Sequence, residues 1–245
     1  MYFGFDPTWI LIMFVSVVLG GVTQGYITST YRKWSQVGTT RGMTGAQVAQ
    51  RVLESNGIGD SGATVQPASA RRGVRIQPIG GSLTDNYDPR NKTLNLSEGV
   101  YGSSSVAAAG VAAHEAGHAV QDAEGYVWGK VRTLLVPAAS FGSGAAWVLI
   151  FVGALIGAAS YMGHFVILTG IAFYAAAVLF QVVTLPVEFD ASRRAMASLE
   201  ATGTLSGEQL GGARQVLTAA ALTYVAAALI ALLQLLYLLG FLRRD

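Results

Sequence analysis

The chain has no cysteine and few charged residues. Without cysteine, a disulfide scaffold, a thiolate zinc site, an iron–sulfur centre and a cysteine nucleophile are all excluded. Any metal must therefore be held by histidine and carboxylate side chains. Charged residues make up 12% of the 245 residues, against about 25% in an ordinary soluble domain, so a purely soluble fold is not expected. The net charge of +2 and the absence of a basic stripe argue against nucleic acid as a partner.

The few charges leave three long blocks without Asp, Glu, Lys or Arg, namely Pro7–Tyr31, Thr133–Val187 and Gln215–Leu242. A bilayer core about 30 Å thick needs roughly 20 apolar residues of helix. The second block is long enough for two spans, and its most turn-like interruption is Ser160–His164, which predicts a helical hairpin. Four spans follow: about Trp9–Gly25, Leu134–Ala159, Phe165–Leu185 and Val216–Leu239. The third is expected to end at Pro186, because proline cannot donate to the helix ladder.

Positive residues predict which side of the membrane each loop faces. The segment from Arg32 to Arg132 holds eleven Lys and Arg against eight Asp and Glu, so we expect it and the 188–214 loop in the cytoplasm. The first span is then a retained anchor with the N-terminus outside, although Arg243 and Arg244 at an external C-terminus count against this orientation. The expected domains are an anchor (1–31), a catalytic domain (32–132), a transmembrane hairpin (133–187), a segment with a metal ligand (188–214) and a last transmembrane helix (215–245).

The 32–132 segment has the pattern of a small α+β domain. Thr44 is a capping residue before a helical repeat of apolar residues that stops at Asn56-Gly57. Alternating residues around Arg75 and in Thr93–Leu96 predict a short β-element. The alanine-rich Ser103–Asp122 is predicted to be a mostly buried helix that ends at Gly125. Two stretches look flexible, Gly38–Thr44 and Gly57–Gly73.

This last helix contains His114-Glu115-Ala-Gly-His118. Two histidines four residues apart lie on one face of a helix, so both rings can reach one Zn²⁺. Glu115 can then take a proton from the metal-activated water and pass it to the leaving amine. Burying two histidines and a glutamate without a partner would be costly, which favours a metal site.

A catalytic zinc needs a third protein ligand and one open position. His164 is the only other histidine, but it lies in the predicted hairpin turn on the far side of the membrane. Glu188 follows the third span, and a hairpin that returns to the cytoplasmic face would bring it close to His114 and His118. We therefore predict Glu188 as the third ligand, with a solvated charge at a helix end as the alternative.

Four further residues are candidates for supporting roles. Asp190 could accept a hydrogen bond from a ligand histidine, or could be a surface charge paired with Arg193 or Arg194. Tyr87, Tyr101 and Arg193 are candidate donors to the tetrahedral oxyanion, and the sequence does not choose among them. Thr93–Leu96 is either an edge strand that aligns a peptide or an ordinary core strand.

Four separated motifs occur in order along the chain. They are Leu83-Thr-Asp-Asn-Tyr-Asp-Pro-Arg90, Leu96-Ser-Glu-Gly-Val-Tyr101, His114-Glu-Ala-Gly-His-Ala-Val-Gln121 and Pro186-Val-Glu-Phe-Asp-Ala-Ser-Arg-Arg194. Together they resemble the YugP-type membrane zinc metallopeptidases, also called neutral zinc metallopeptidases. The resemblance implies a bacterial inner-membrane endopeptidase of the gluzincin type, with Glu188 as third zinc ligand and Glu115 as base. One difference is that many gluzincins carry Asp four residues after the ligand Glu, where this chain has Ser192 and places its Asp at 190.

The sequence therefore predicts a mainly α membrane protein with about four transmembrane helices and a small zincin-like α+β domain. The leading function is a zinc-dependent endopeptidase that cuts membrane or membrane-proximal proteins from the cytoplasmic side of a bacterial inner membrane. The alternatives are a zinc protease that cleaves within the bilayer, and a non-enzymatic zinc-stabilised scaffold. Gly153-x-x-x-Gly157 permits close helix packing, either within the chain or in a homo-oligomer.

Overall fold

The computed structural model describes residues 6–59 and 73–242. Most of the predicted flexible stretch 57–73, together with Arg243 and Arg244, lies outside these residues. In chain order the elements are α1 (Pro7–Ser35), α2 (Gly45–Ser55), β1 (Arg75–Ile79), β2 (Asn86–Asp88), β3 (Thr93–Ser97), α3 (Glu98–Tyr101), α4 (Val106–Glu124), α5 (Val127–Ile156), α6 (Tyr161–Ala201) and α7 (Gly207–Leu242).

The chain divides into two compact units. The apolar unit consists of Met1–Gln24, Lys130–Pro186 and Leu222–Asp245, and the site unit consists of Gly25–Gly129 and Val187–Ala221. Four helices, α1, α5, α6 and α7, are long and apolar enough to cross a membrane. The four predicted apolar segments are therefore confirmed. Helices α1, α6 and α7 extend beyond the predicted segments at both ends, whereas α5 begins before its segment and ends at Ile156, short of the predicted Ala159.

The prediction that a helix ends at Pro186 is wrong. Helix α6 runs from Tyr161 to Ala201 with Pro186 in its interior. Proline removes one backbone hydrogen bond, but a helix tolerates this loss where its neighbouring turns are held by packing. Beyond the proline, the residues at every fourth position are buried and keep the helix in place: Val187, Ala191, Ala195 and Leu199.

The turn between α5 and α6 also differs from the predicted position. It lies at Gly157–Ser160, and Tyr161 to His164 are already helical. Gly157 has a φ of 108°, which a residue with a side chain rarely adopts. The hydroxyl of Ser160 accepts from the backbone N–H of Gly163 at 3.0 Å and so caps the start of α6.

Small residues bring α5 and α6 close together inside the apolar unit. A Cβ atom added at Gly153 would lie 2.8 Å from the carbonyl oxygen of Gly163 and 2.7 Å from the Ile167 side chain. Gly153 is therefore used for contact within the chain, which is one of the two uses that the sequence left open.

The site unit contains a three-stranded sheet in the order β1-β3-β2, in which β3 is parallel to β1 and antiparallel to β2. The peptide-aligning alternative for Thr93–Leu96 is wrong, since β3 is the central strand and has no free edge. Leu94 and Leu96 are fully buried in the core. Because Leu94 and Leu96 alternate with polar residues, both leucines lie on the same face of the strand, and that face packs into the core.

Helix α4 is the centre of the site unit and is buried on most of its faces. The Ser105 hydroxyl caps its start by accepting from the N–H of Ala108 at 3.2 Å. Gly125 ends it in the left-handed conformation with a φ of 71°. Helix α2 packs beside it and begins with the predicted Thr44 cap, whose side chain forms a capping box with Gln47.

Candidate metal centre

The structure brings His114, His118 and Glu188 together. The Nε2 atom of His114 is 3.2 Å from Oε2 of Glu188, and the Nε2 atom of His118 is 3.6 Å from the same oxygen. One ligand atom from each residue lies within 4.8 Å of the others. Within the described residues this is the one group of three or more His, Asp or Glu side chains that could hold a metal, and it does not include His164.

The approach of α4 to α6 depends on a glycine between the two histidines. A Cβ atom at Gly117 would lie 2.6 Å from the carbonyl oxygen of Ala191, closer than real Cβ atoms come to an oxygen. Because Gly117 has no side chain, the backbone of α6 at Ala191 packs directly against α4. This close packing brings the Glu188 carboxylate within reach of both histidines. Glu188 is almost fully buried, with 3% of its side chain exposed.

Glu115 is also buried, with 9% of its surface exposed. Burial raises the pKa of its carboxyl above the ordinary value, and the neighbouring His114 and His118 oppose this only in part. A carboxyl in such surroundings gains and loses a proton closer to neutral pH than an exposed one.

The ring nitrogens that face away from Glu188 also have partners. Nδ1 of His114 lies 3.1 Å from the hydroxyl of Ser192, and Nδ1 of His118 lies 3.0 Å from Oε1 of Gln121. Neither contact was predicted from the sequence, in which Ser192 is only a departure from the gluzincin pattern. The position of Gln121, three residues after His118 on the same helix, was the available signal.

Asp190 does not contact a ligand histidine directly. Its carboxylate accepts from the Gln121 amide at 2.9 Å and from Nε of Arg194 at 2.5 Å, and it also pairs with Arg193. Arg194 reaches on to Glu124 at 2.7 Å. The direct bond to a ligand histidine that the sequence suggested is therefore not formed. The alternative pairing with Arg193 and Arg194 is present, and Asp190 is joined to His118 only through Gln121.

The two candidate tyrosines have different environments. The hydroxyl of Tyr87 donates to Oδ2 of Asp122 at 2.6 Å, and Lys92 pairs with the same carboxylate. Burial and Asp122 raise the pKa of Tyr87, so its proton is held in this contact. Tyr101 is partly buried and packs against the core of the site unit.

Two imidazoles and one carboxylate, buried together, fit the donor set of a zinc site. Catalytic zinc takes three protein ligands of nitrogen and oxygen type and leaves one position open. Glu115 directly follows the candidate ligand His114 and is buried, which also fits a zinc site of this kind. The residues present therefore suit a zinc ion, and His114, His118 and Glu188 are the ones that would hold it.

Comparisons with known proteins also point to zinc. The sequence profile of the family described as "Putative neutral zinc metallopeptidase" matches residues 9–243. The chain belongs to this family. The "Putative membrane protease YugP" of Bacillus subtilis (strain 168) is 39% identical over 229 residues, which cover 92% of this chain and 94% of that protein. The family resemblance seen in the sequence motifs is confirmed. No solved structure matches the chain.

Membership of the zinc metallopeptidase family implies a zinc ion, and the candidate site supplies residues to bind it. The name of the Bacillus relative and the four apolar helices both point to a membrane protein.

Proposed function

We propose that this neutral zinc metallopeptidase is a membrane-embedded endopeptidase in which His114, His118 and Glu188 hold one catalytic zinc ion and Glu115 is the general base. The observation that carries the proposal is the convergence of three ligand atoms within 4.8 Å of one another, beside a buried carboxyl on the same helix. The small α+β domain around α4 is, on this proposal, a zincin-like catalytic domain.

Zinc, when bound, acts as a Lewis acid that polarises the peptide carbonyl and makes water nucleophilic near neutral pH. The protein residues provide the rest of the chemistry. Glu115 removes a proton from the attacking water and returns it to the amine that leaves. Burial raises the pKa of the Glu115 carboxyl, which makes the carboxylate form a stronger base than that of an exposed glutamate.

The proposed substrates are membrane or membrane-proximal proteins. Glu188 is two residues after Pro186 on α6, whose preceding segment is one of the four apolar candidate spans, so the ligand lies close in sequence to a membrane-length stretch. The excess of positive residues in the 32–132 segment supports a cytoplasmic position of the catalytic domain, under the positive-inside rule. The proposed location is a bacterial inner (cytoplasmic) membrane, which the Bacillus relative and the four apolar helices support.

The test is the Glu115→Gln variant of the full-length protein, purified in detergent. Zinc content is measured by metal analysis, and cleavage is measured with a quenched-fluorescence protein substrate. We expect zinc to stay bound, because Glu115 is not a ligand, and cleavage to fall by about 10²–10⁴-fold, the usual contribution of a general base. Glu54→Gln, at an exposed position of α2, is the matched control.

Full cleavage by Glu115→Gln would refute the role of Glu115. A wild-type protein that unfolds on zinc removal but cleaves no protein would instead favour the scaffold alternative. A wild type that cleaves only substrates whose scissile bond is embedded in a bilayer would favour the intramembrane alternative.

A further inference from the structure

Gln121 is a buried polar residue that the chemistry of the zinc site does not use directly. It lies on α4, three residues after His118, and 3% of its surface is exposed. Its Oε1 atom is 3.0 Å from Nδ1 of His118, and its Nε2 atom is 2.8 Å from the carbonyl oxygen of Val187 and 2.9 Å from Oδ2 of Asp190. The amide oxygen and both amide hydrogens thus each have a partner.

These partners allow one orientation of the amide. The Val187 carbonyl has no hydrogen to give, and the Asp190 carboxylate is held by arginine donors. Both must therefore accept, and the nitrogen of the Gln121 amide must face them. The amide oxygen is left to face His118.

The orientation of the amide in turn fixes the tautomer of His118. Since the oxygen of Gln121 can only accept, Nδ1 of His118 must carry the hydrogen. The Nε2 atom then keeps its lone pair free, and Nε2 is the atom that faces Glu188. Ser192 has no comparable effect on His114, because a hydroxyl can donate or accept.

The same side chain also joins the two ligand-bearing helices. Val187 precedes Glu188 directly, so the bond from the amide to its carbonyl ties the backbone of α6 to α4 beside the third ligand. Residues 66 positions apart in sequence are linked in this way.

We propose that Gln121 is a positioning residue that sets the metal-binding tautomer of His118 and fixes the register of Glu188 against the histidine pair. The proposal rests on the zinc site proposed above. A buried amide in this position does for His118 what a carboxylate or a backbone carbonyl does in many zinc sites, and it binds the neighbouring helix as well.

The experiment compares Gln121→Met, Gln121→Glu and Gln50→Met with the wild type, each as full-length protein in detergent. Methionine has similar length and no hydrogen-bonding groups. Glutamate can still accept from His118 but has no hydrogen for Val187 or for Asp190. Gln50→Met is the matched control, because Gln50 is exposed on α2 and its side chain donates to Glu54 on the same exposed surface.

Zinc affinity is measured by competition with a chromophoric chelator, and the stability of the metal-free protein by thermal unfolding. We expect Gln121→Met to bind zinc about 10- to 100-fold more weakly than the wild type, the usual effect of losing a partner of a ligand histidine. Gln121→Glu should lie between the two, and Gln50→Met should equal the wild type. Cobalt substitution provides a second readout, and the visible spectrum of Gln121→Met at saturating cobalt should differ from that of the wild type.

Three results would overturn the proposal. The first is wild-type zinc affinity in Gln121→Met. The second is equal affinity of Gln121→Met and Gln121→Glu, which would remove the tautomer argument. The third is a cobalt spectrum of Gln121→Met identical to that of the wild type, with any loss of affinity matched by loss of metal-free stability. A wild type that binds no zinc would overturn the proposed function itself, and this is read before any variant is compared.

Discussion

Gly117 is the residue at which α4 and α6 touch, and the Gly117→Ala variant tests whether this contact sets the geometry of the metal centre. The added Cβ would lie 2.6 Å from the Ala191 carbonyl oxygen, whereas ordinary contact begins at about 3.4 Å. The two backbones must therefore separate by roughly 0.8 Å. Zinc sites hold their ligand distances to within about 0.2 Å, and Glu188 is less than one helical turn from Ala191. We expect the variant to lose zinc affinity.

The same substitution also has a calculable effect on stability. Overpacking a close contact costs about 1–3 kcal/mol, while replacing glycine by alanine inside a helix gains about 0.5–1 kcal/mol. The difference predicts a net loss of about 1 kcal/mol for Gly117→Ala, within a range from 0 to about 2.5 kcal/mol. Gly211→Ala is the control, because Gly211 is on α7 and an added Cβ there meets nothing within 4 Å, so only the gain should appear.

The assays are thermal unfolding of the two variants in detergent and zinc competition with a chelator. We expect Gly117→Ala to be less stable than the wild type and Gly211→Ala to be more stable. Only Gly117→Ala should bind zinc more weakly. If Gly117→Ala is as stable as Gly211→Ala and keeps wild-type zinc affinity, the close approach of the two helices does not determine the site.

Three more changes test other parts of the structure. Glu188→Ala should lose stoichiometric zinc in metal analysis while Glu208→Ala, at an exposed position of α7, should keep it; zinc retained in the first variant would exclude Glu188 as a ligand. Arg194→Ala should lower the free energy of unfolding by about 1–2 kcal/mol and Arg193→Ala by less than about 0.5 kcal/mol, because the Arg194 side chain is 22% exposed and the Arg193 side chain is 77% exposed. Equal losses in the two variants would contradict this dependence on burial. Gly153→Ala should destabilise the α5–α6 hairpin by about 1–3 kcal/mol in thermal unfolding, and an unchanged midpoint would contradict the close packing.

Local chemistry explains which structural predictions succeeded. The Thr44 cap and the Gly125 end of α4 depend on residues within a few positions of one another, so the sequence contains all the information they need. His114 and His118 are four residues apart, so their position on one face likewise follows from helix geometry alone.

Predictions that depend on packing between distant parts of the chain were less often correct. Pro186 would end an isolated helix, but the buried residues that follow it hold α6 together. The position of Glu188 could be anticipated from the apolar blocks and charges, since a hairpin must return the chain to the same side. The contact between Gln121 and the Val187 carbonyl could not, because it depends on the rotation and register of two helices that are far apart in the chain.

The partners of the two histidines have a consequence for the formal charge of the metal centre. With neutral imidazoles and an ionised Glu188, the three proposed ligands bring one negative charge to a divalent ion. Gln121 and Ser192, which contact the outer ring nitrogens, add none, whereas carboxylates in their places would neutralise the ion further. A zinc ion with these three ligands would keep a net charge of about +1, which favours a negatively charged group at the open coordination position. Inhibitors that present an anionic oxygen, such as phosphonates, should therefore bind it more tightly than neutral compounds of the same shape.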